Sequence, residues 1–343
     1  MGNTKSISGL QVARGIAALL IVLFHTDLNL KLYIGQNELF GFWNFGLIGV
    51  DFFFVLSGFI IYWVYSSDKR KEKSIFLYIK KRIIRIYPPY LIITFALLVA
   101  YNVFPTFSNS GRNISVLASL FLIPSESFSP ALIVSWTLMH ELLFYFVFIT
   151  FLISTKYFRI VSFLWAGLIL VLNLSSSLLV KNILYLNPYN LEFLFGIIAA
   201  IIVKKQKSSL LHLIFGFSIL ILFVCIHNGD FGKNIYFNGL FTRVVLGTCF
   251  MLIITGLYSI ESKVRYSKAL IFFGTASYSI FLIHSPIISI LIRLAAMINS
   301  KMDIHPVVIF LIIIVFCILS GITFFLLIEK SIHKFFDNVF ATR

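Results

Sequence analysis

Long apolar stretches alternate with short polar connections along almost the whole 343-residue chain. Each stretch approaches the roughly 20 residues that an α-helix needs to cross the hydrocarbon core of a bilayer. The pattern predicts an all-α, polytopic membrane protein with about ten transmembrane helices, at 8–27, 46–66, 84–104, 131–153, 160–180, 190–203, 210–226, 239–259, 269–291 and 306–328. The sixth stretch is short, so whether 190–203 fully crosses the membrane is left open.

The composition excludes a soluble protein. Hydrophobic residues make up 59% of the chain, charged residues 12%, and the mean hydropathy is +0.98, far from the balance of a soluble domain. Because no repeat or linker separates a second domain, we predict one membrane-embedded domain over 5–335, a short cytoplasmic tail over 336–343 and no appended soluble domain. Any chemistry must then be done by the spans and their connections.

Lys and Arg collect in every second connection, which by the positive-inside rule places both termini in the cytoplasm. The largest basic cluster is Lys69, Arg70, Lys71, Lys73, Lys80, Lys81, Arg82 and Arg85. Topology and contact with anionic membrane lipid explain the formal charge of +15, so no nucleic-acid partner is expected. The three cysteines all lie in predicted spans, which indicates packing residues rather than a disulfide framework or a metal site.

Two connections carry Pro-rich sequence. The segment 105–130 predicts an irregular, partly folded cap between spans three and four. Tyr87-Pro88-Pro89 predicts a break at the start of the third span.

Ionisable residues within the predicted spans are the candidates for function. Each costs about 2.5–3.5 kcal/mol at the bilayer centre and therefore needs a partner or a role. They are Arg14, His25, Asp51, His140, Glu141, Glu192, Arg243 and His284. Arg14 and His25 are eleven residues apart, which puts them on one helix face about 16.5 Å apart along the axis. One interpretation is that these residues pair with each other and hold the helices together. The other is that an imidazole and a carboxylate among them form a general base.

Five ordered motifs and a closing element resemble the acyltransferase-3 family of integral membrane acyltransferases, which transfer acyl groups, often acetyl, onto extracytoplasmic glycans. They are Arg14 with Phe24-His25, Gly49-Val50-Asp51-Phe52-Phe53-Phe54, Arg82-Ile83-Ile84-Arg85, Ser135-Trp136-Thr137-Leu138 with Glu141 and Tyr145, Ser277-Tyr278 with His284-Ser285-Pro286, and Ile328-Glu329-Lys330. The chain departs from the family pattern at two positions. Phe281 stands where Tyr is frequent, and His140 precedes Glu141 where a small or acidic residue is common.

The resemblance implies an O-acyltransferase of the bacterial inner (plasma) membrane. Its donor would be cytosolic acetyl-CoA or another acyl-CoA, used as a co-substrate with no permanently bound cofactor and no metal. The acceptor would be a hydroxyl of an extracytoplasmic glycan or lipid-linked glycan, such as O-antigen, capsule or exopolysaccharide.

The same resemblance suggests a role for each site residue. We expect His25 to be the catalytic base, with Asp51 or Glu141 orienting its ring. Arg14, Arg82 and Arg85 would bind the donor, and the residues lining the site would be Trp136, Tyr145, Tyr278 and His284.

Two other classes remain open from the sequence. A secondary transporter or exporter of a lipid-linked sugar also keeps charges at mid-membrane depth, and a non-enzymatic scaffold would use them for assembly alone. The sequence leaves open the acyl group, the acceptor sugar and the oligomeric state.

Overall fold

The computed structural model describes residues 7–35, 41–66, 75–104, 112–125, 127–175, 183–227 and 239–341. This part of the chain is helical apart from short connections and one isolated bridge between Ile114 and Ser129. The helices are α1 (Ser8–Ile34), α2 (Ile48–Ser66), α3 (Ile75–Val103), α4 (Val116–Phe121), α5 (Trp136–Ile153), α6 (Thr155–Leu174), α7 (Asn190–Lys204), α8 (Leu210–His227), α9 (Leu240–Ile260), α10 (Lys268–Thr275), α11 (Ser277–Met302), α12 (Pro306–Phe324) and α13 (Lys330–Ala341).

Nine helical segments within the described ranges are long and apolar enough to cross a membrane, which confirms an all-α, multi-pass membrane protein. They correspond to nine of the ten predicted spans. The sixth stretch forms α7, which has 15 residues and is therefore about 22 Å long, short of the roughly 30 Å hydrocarbon core. Helix α7 nevertheless has a largely buried surface, because other helices of the protein surround it.

The predicted break at Tyr87-Pro88-Pro89 is wrong. Helix α3 runs without interruption from Ile75 to Val103 and contains both prolines, so Arg82 and Arg85 lie on a helix rather than in a loop. The prolines remove only the hydrogen bonds to the carbonyls of Ile84 and Arg85, and such a loss is tolerated in membrane helices. Of the basic cluster, residues 69–73 lie outside the described ranges.

Within the cap predicted over 105–130, the described residues form one short helix, α4, and one isolated bridge. Ser115 caps helix α4, since its hydroxyl accepts a hydrogen bond from the backbone N–H of Ala118 at 3.2 Å. The Ser119 hydroxyl then accepts from the N–H of Ala131 at 2.8 Å, which ties the helix to the start of the next span. Residues 105–111 and 126 lie outside the described ranges.

The chain divides into two compact units. Unit 1 comprises residues 1–21, 41–73 and 140–275, and unit 2 comprises 22–40, 74–139 and 276–343. In unit 1, α2 packs directly on α7 through two glycines. A Cβ at Gly58 would lie 2.0 Å from the carbonyl oxygen of Phe193, and one at Gly196 would lie 1.9 Å from that of Val55. The two backbones therefore touch, as in other membrane helix pairs with small residues at the contact.

The start of α1 is also fixed within unit 1. The backbone N–H groups of Ser8 and Gly9 donate to the two carboxylate oxygens of Glu261 at 2.6 and 2.9 Å. These are donors that the first turn of a helix leaves unsatisfied. Burial, and then the charge of Glu261, raise the pKa of the Tyr266 hydroxyl in the same connection.

In unit 2, α11 packs along α12, and the last span contains a π-helical turn over Phe325–Glu329. The wider turn brings the Glu329 carboxylate to the Ser279 hydroxyl on α11, which donates to it. Such turns are rare inside α-helices and occur mostly at functional sites. In this protein the turn anchors α11, the helix that carries His284.

Candidate active site

Two histidines face each other in unit 2. His25 is in the second half of α1 and His284 is in the first half of α11, and their ring centroids are 5.1 Å apart with the planes inclined at 40°. His284 is fully buried and His25 is partly buried. The structure thus brings the predicted base together with a residue that the sequence placed only in the lining.

The hydrogen bond of His284 defines its tautomer. Its Nδ1 lies at the carbonyl oxygen of Phe281, and because a carbonyl can only accept, Nδ1 must carry the proton. A neutral His284 then has a lone pair on Nε2, and that buried atom has no hydrogen-bond partner among the described residues. The pair therefore presents an unused acceptor nitrogen next to His25.

Helix α11 is held in register from two sides. The Tyr278 hydroxyl donates to the carbonyl oxygen of Ile86 on α3 at 3.0 Å, and the Ser279 hydroxyl donates to Glu329. Phe281 packs against the His284 ring with centroids 5.6 Å apart. Tyr278, predicted to line the site, therefore links the histidine helix to the helix that carries Arg82 and Arg85.

Arg82 and Arg85 lie on α3 less than one turn apart, and each is half-buried. The Arg82 guanidinium lies over the ring of Tyr78, 5.6 Å from its centroid, an arrangement that Arg adopts readily. Ile86, which follows Arg85 directly, is the residue bound by Tyr278. This hydrogen bond thereby links the helix that carries the two predicted donor-binding residues to α11.

Arg14 lies on α1, the continuous helix that also carries His25. It is half-buried, and its Nη1 donates to Oε1 of Gln11 at 3.1 Å. A nearby cavity of about 200 Å³ is lined by Gly9, Val12, Ala13, Ile16, Ala17 and Leu20 together with apolar residues of α2, α8 and α9. Viewed down the axis of α1, the centre of those six positions lies roughly 130° from Arg14. The cavity therefore opens on a different face of the helix.

Asp51 lies in a buried ionic cluster of unit 1. Arg243 on α9 donates Nη1 to Oδ1 of Asp51 on α2, and the same Nη1 is 3.8 Å from Oε1 of Glu192 on α7. The guanidinium also lies over the ring of Tyr189, 4.2 Å from its centroid. The partner of Asp51 in unit 1 is thus Arg243, and its expected role in orienting His25 stays a prediction.

Glu141 and Tyr145 come together on α5. Oε1 of Glu141 accepts hydrogen bonds from the Tyr145 hydroxyl one turn later and from the Ser57 hydroxyl on α2, the latter at 3.2 Å. Glu141 is partly buried, and Tyr145 is buried. One oxygen of the carboxylate is therefore held by two hydroxyl groups, and a role in catalysis stays a prediction.

The residues flanking this pair have different surroundings. His140, one of the two departures from the family pattern, is buried and bonded through Nδ1 to Oδ1 of Asn190 at 2.9 Å. Trp136 is the first residue of α5 and is half-buried. His140 therefore fastens α5 to the start of α7.

Sequence reasoning missed several members of these clusters. Arg243 and Glu192 were recognised as intramembrane charges but were not assigned to the site, while Tyr189, Asn190 and Ser57 gave no signal of their own. The sequence did contain one indication of the pairing. Two acidic residues, Asp51 and Glu192, and the basic residue Arg243 all lie within predicted spans. Charge balance between spans could have paired them.

The helices and the histidine pair define a polytopic membrane protein with a candidate active site among its spans. The family comparison supplies the chemistry: the chain belongs to the acyltransferase-3 family, described as an acyltransferase domain, which it matches over residues 7–326. It is therefore a membrane acyltransferase. This confirms the family that the motifs suggested, and it favours acyl transfer over an exporter or a scaffold.

One curated relative extends the comparison. The chain is 33% identical over 258 residues, covering 72% of this chain and 78% of the relative, to the exopolysaccharide production protein ExoZ of Rhizobium meliloti (strain 1021). No solved structure shows significant similarity to the chain.

Proposed function

We propose that this protein is an O-acyltransferase of the bacterial inner membrane that transfers acetyl from cytosolic acetyl-CoA to a hydroxyl of an extracytoplasmic glycan. Among the glycans considered, exopolysaccharide has the best support, because the relative from Rhizobium meliloti is an exopolysaccharide production protein. The observation that carries the proposal is the His25–His284 pair, with centroids 5.1 Å apart and the acceptor nitrogen of His284 unused. We expect both termini to lie in the cytoplasm, because the basic connections follow the positive-inside rule.

His25 acts as the general base in this proposal. It takes the proton of the acceptor hydroxyl as the oxygen attacks the thioester carbonyl, so that the new C–O ester bond forms as the C–S bond breaks. The imidazolium then gives that proton to the departing coenzyme A thiolate. Atoms and charge balance without a further reactant.

His284 orients the base. With its Nδ1–H fixed on Phe281, its Nε2 lone pair can accept an N–H from the His25 ring after a small rotation. His25 then keeps a lone pair toward the acceptor hydroxyl, and the positive charge that develops on its ring is shared with a neighbour. The sequence analysis had assigned this orienting role to Asp51 or Glu141.

Three arginines would bind the acyl-CoA donor. Acyl-CoA carries phosphate charges that cannot enter hydrocarbon, and the forked guanidinium is suited to bidentate phosphate contacts. Arg82 and Arg85 would hold the phosphates, and Arg14 would contact the arm of the donor on its way to His25.

Mass spectrometry of surface glycans from strains with and without the gene tests the proposal. We expect a mass increase of one acetyl group on a sugar only when the gene is present, and its loss in a His25→Ala strain with normal protein levels. His227→Ala, at the end of α8 with its ring on Phe223, is the matched control and should acylate normally. Identical glycans in all strains would refute the proposed acceptor class, and an unaffected His25→Ala strain would refute the mechanism.

A further inference from the structure

The cluster of Asp51, Glu192 and Arg243 contains more acid than base. All three side chains are at most 1% exposed. Arg243 supplies one positive charge, while two ionised carboxyls would supply two negative charges. Fully ionised, the cluster would hold a net charge of −1 in the interior of unit 1, where an unbalanced charge is very costly.

Within the described ranges, carboxyl oxygens of the cluster also lack hydrogen-bond donors. Oδ2 of Asp51 and both carboxyl oxygens of Glu192 are buried with no hydrogen-bond partner among the described residues. Both carboxyl groups nevertheless approach the same Nη1 of Arg243, so they lie beside each other. As carboxylates, neither can donate, so the contact would be repulsive unless one of them carries a proton.

Arg243 is committed to one of the two acids. It donates to Asp51, whereas its nearest approach to Glu192 is 3.8 Å, which is longer than a hydrogen bond. Its guanidinium lies over the ring of Tyr189, 4.2 Å from the centroid, and its buried Nε has no hydrogen-bond partner among the described residues. Within the described ranges, Glu192 is therefore the acid without a counter-charge of its own.

We propose that the Asp51–Glu192 pair binds one proton, carried by Glu192, which donates it to Asp51. The cluster is then neutral, with an ionised Asp51–Arg243 pair and a carboxylic acid beside it. The groups that face it are Asp51 from α2, Arg243 from α9 and Tyr189 from the segment before α7. His140 of α5 lies behind Tyr189, with ring centroids 6.0 Å apart. The pair and Arg243 together join three helices of unit 1, namely α2, α7 and α9.

Infrared spectroscopy of the full-length protein in lipid provides the direct test, since a buried carboxylic acid has a C=O band that carboxylates lack. We expect this band in the wild type at neutral pH and its loss in Glu192→Gln. It should also be lost in Asp51→Asn, where Glu192 must ionise to balance Arg243. Glu261→Gln, which removes a carboxylate bound by backbone N–H groups outside the cluster, should leave the band unchanged. A band that persists in Glu192→Gln, or that is absent from the wild type, would overturn the proposal.

Thermal unfolding in detergent adds an independent readout. Glu192→Gln has the shape and neutrality of the protonated acid, so it should melt close to the wild type, while Asp51→Asn should melt at a lower temperature. Equal destabilisation by both changes would indicate that Glu192 is ionised, contrary to the proposal. If sodium ions raised the melting temperature of the wild type but not that of Glu192→Gln, a bound cation would replace the proton and the proposal would fail.

Discussion

The contact between α2 and α7 leaves no room for a methyl group at Gly196. A Cβ there would lie 1.9 Å from the carbonyl oxygen of Val55 and 2.7 Å from the backbone nitrogen of Phe59. Ordinary contact begins at 3.4 Å, so the shortfall is about 1.5 Å, and both of these neighbours are backbone atoms that cannot rotate away. Gly196→Ala must therefore push the helices apart.

The energetic cost follows from that displacement. A gap of 0.5–1 Å already forfeits about a quarter to a half of the dispersion energy of the atoms that line it, and overpacking typically costs about 1–3 kcal/mol. Val55 and Gly196 each lie one turn beyond an acid of the ionic cluster, Asp51 and Glu192 respectively. Because separation of the helices also strains that cluster, we expect about 3 kcal/mol, the upper end of the range.

Thermal unfolding of the purified protein in detergent measures the effect. Gly196→Ala should melt well below the wild type. Gly167→Ala on α6 is the matched control, because a Cβ added there meets none of the described residues outside its own stretch of helix within 4 Å, and alanine has a helix propensity about 1 kcal/mol better than glycine. It should melt at or above the wild type. Equal melting temperatures for the two variants would refute the close α2–α7 contact.

Three further predictions concern the ionic cluster, the histidine pair and the donor site. Arg243→Met leaves Asp51 buried without its cation and should cost about 3–5 kcal/mol in the same unfolding assay; wild-type stability would show that the pair is not ionic. His284→Ala should lower kcat by about 10²-fold or more with little change in KM for the acceptor, measured by acyl transfer in proteoliposomes, and an unchanged kcat would contradict its orienting role. Arg82→Gln should raise KM for acetyl-CoA but not for a short acyl thioester without phosphates, and equal effects on both donors would argue against phosphate binding.

Hydropathy alone predicted most of the helices, because a span needs only enough consecutive apolar residues and satisfies its own backbone hydrogen bonds. Hydropathy was less reliable where tertiary contacts determine the length or the continuity of a helix. Helix α7 is shorter than a full crossing yet largely buried, and α3 continues through Pro88 and Pro89 against local propensity. Neither result can be read from one segment, since both depend on what surrounds it.

The site was predictable residue by residue but not pair by pair. The motifs singled out His25, Asp51, Glu141 and His284 individually. Partners such as Arg243 for Asp51 come from helices far apart in sequence, and the π-helical turn that brings Glu329 to Ser279 has no clear sequence signal. The assignment of His284 as a lining residue reflects this, because only the fold brings its ring to that of His25.

In the proposed mechanism, His25 removes the proton from the acceptor hydroxyl and His284 orients the His25 ring. The most direct test of this mechanism is the acyl content of surface glycans, determined by mass spectrometry, in strains that produce equal amounts of the wild type, His25→Ala, His284→Ala and the control His227→Ala. We expect no acylation with His25→Ala, strongly reduced acylation with His284→Ala and normal acylation with the control. Normal acylation with His25→Ala would contradict the mechanism.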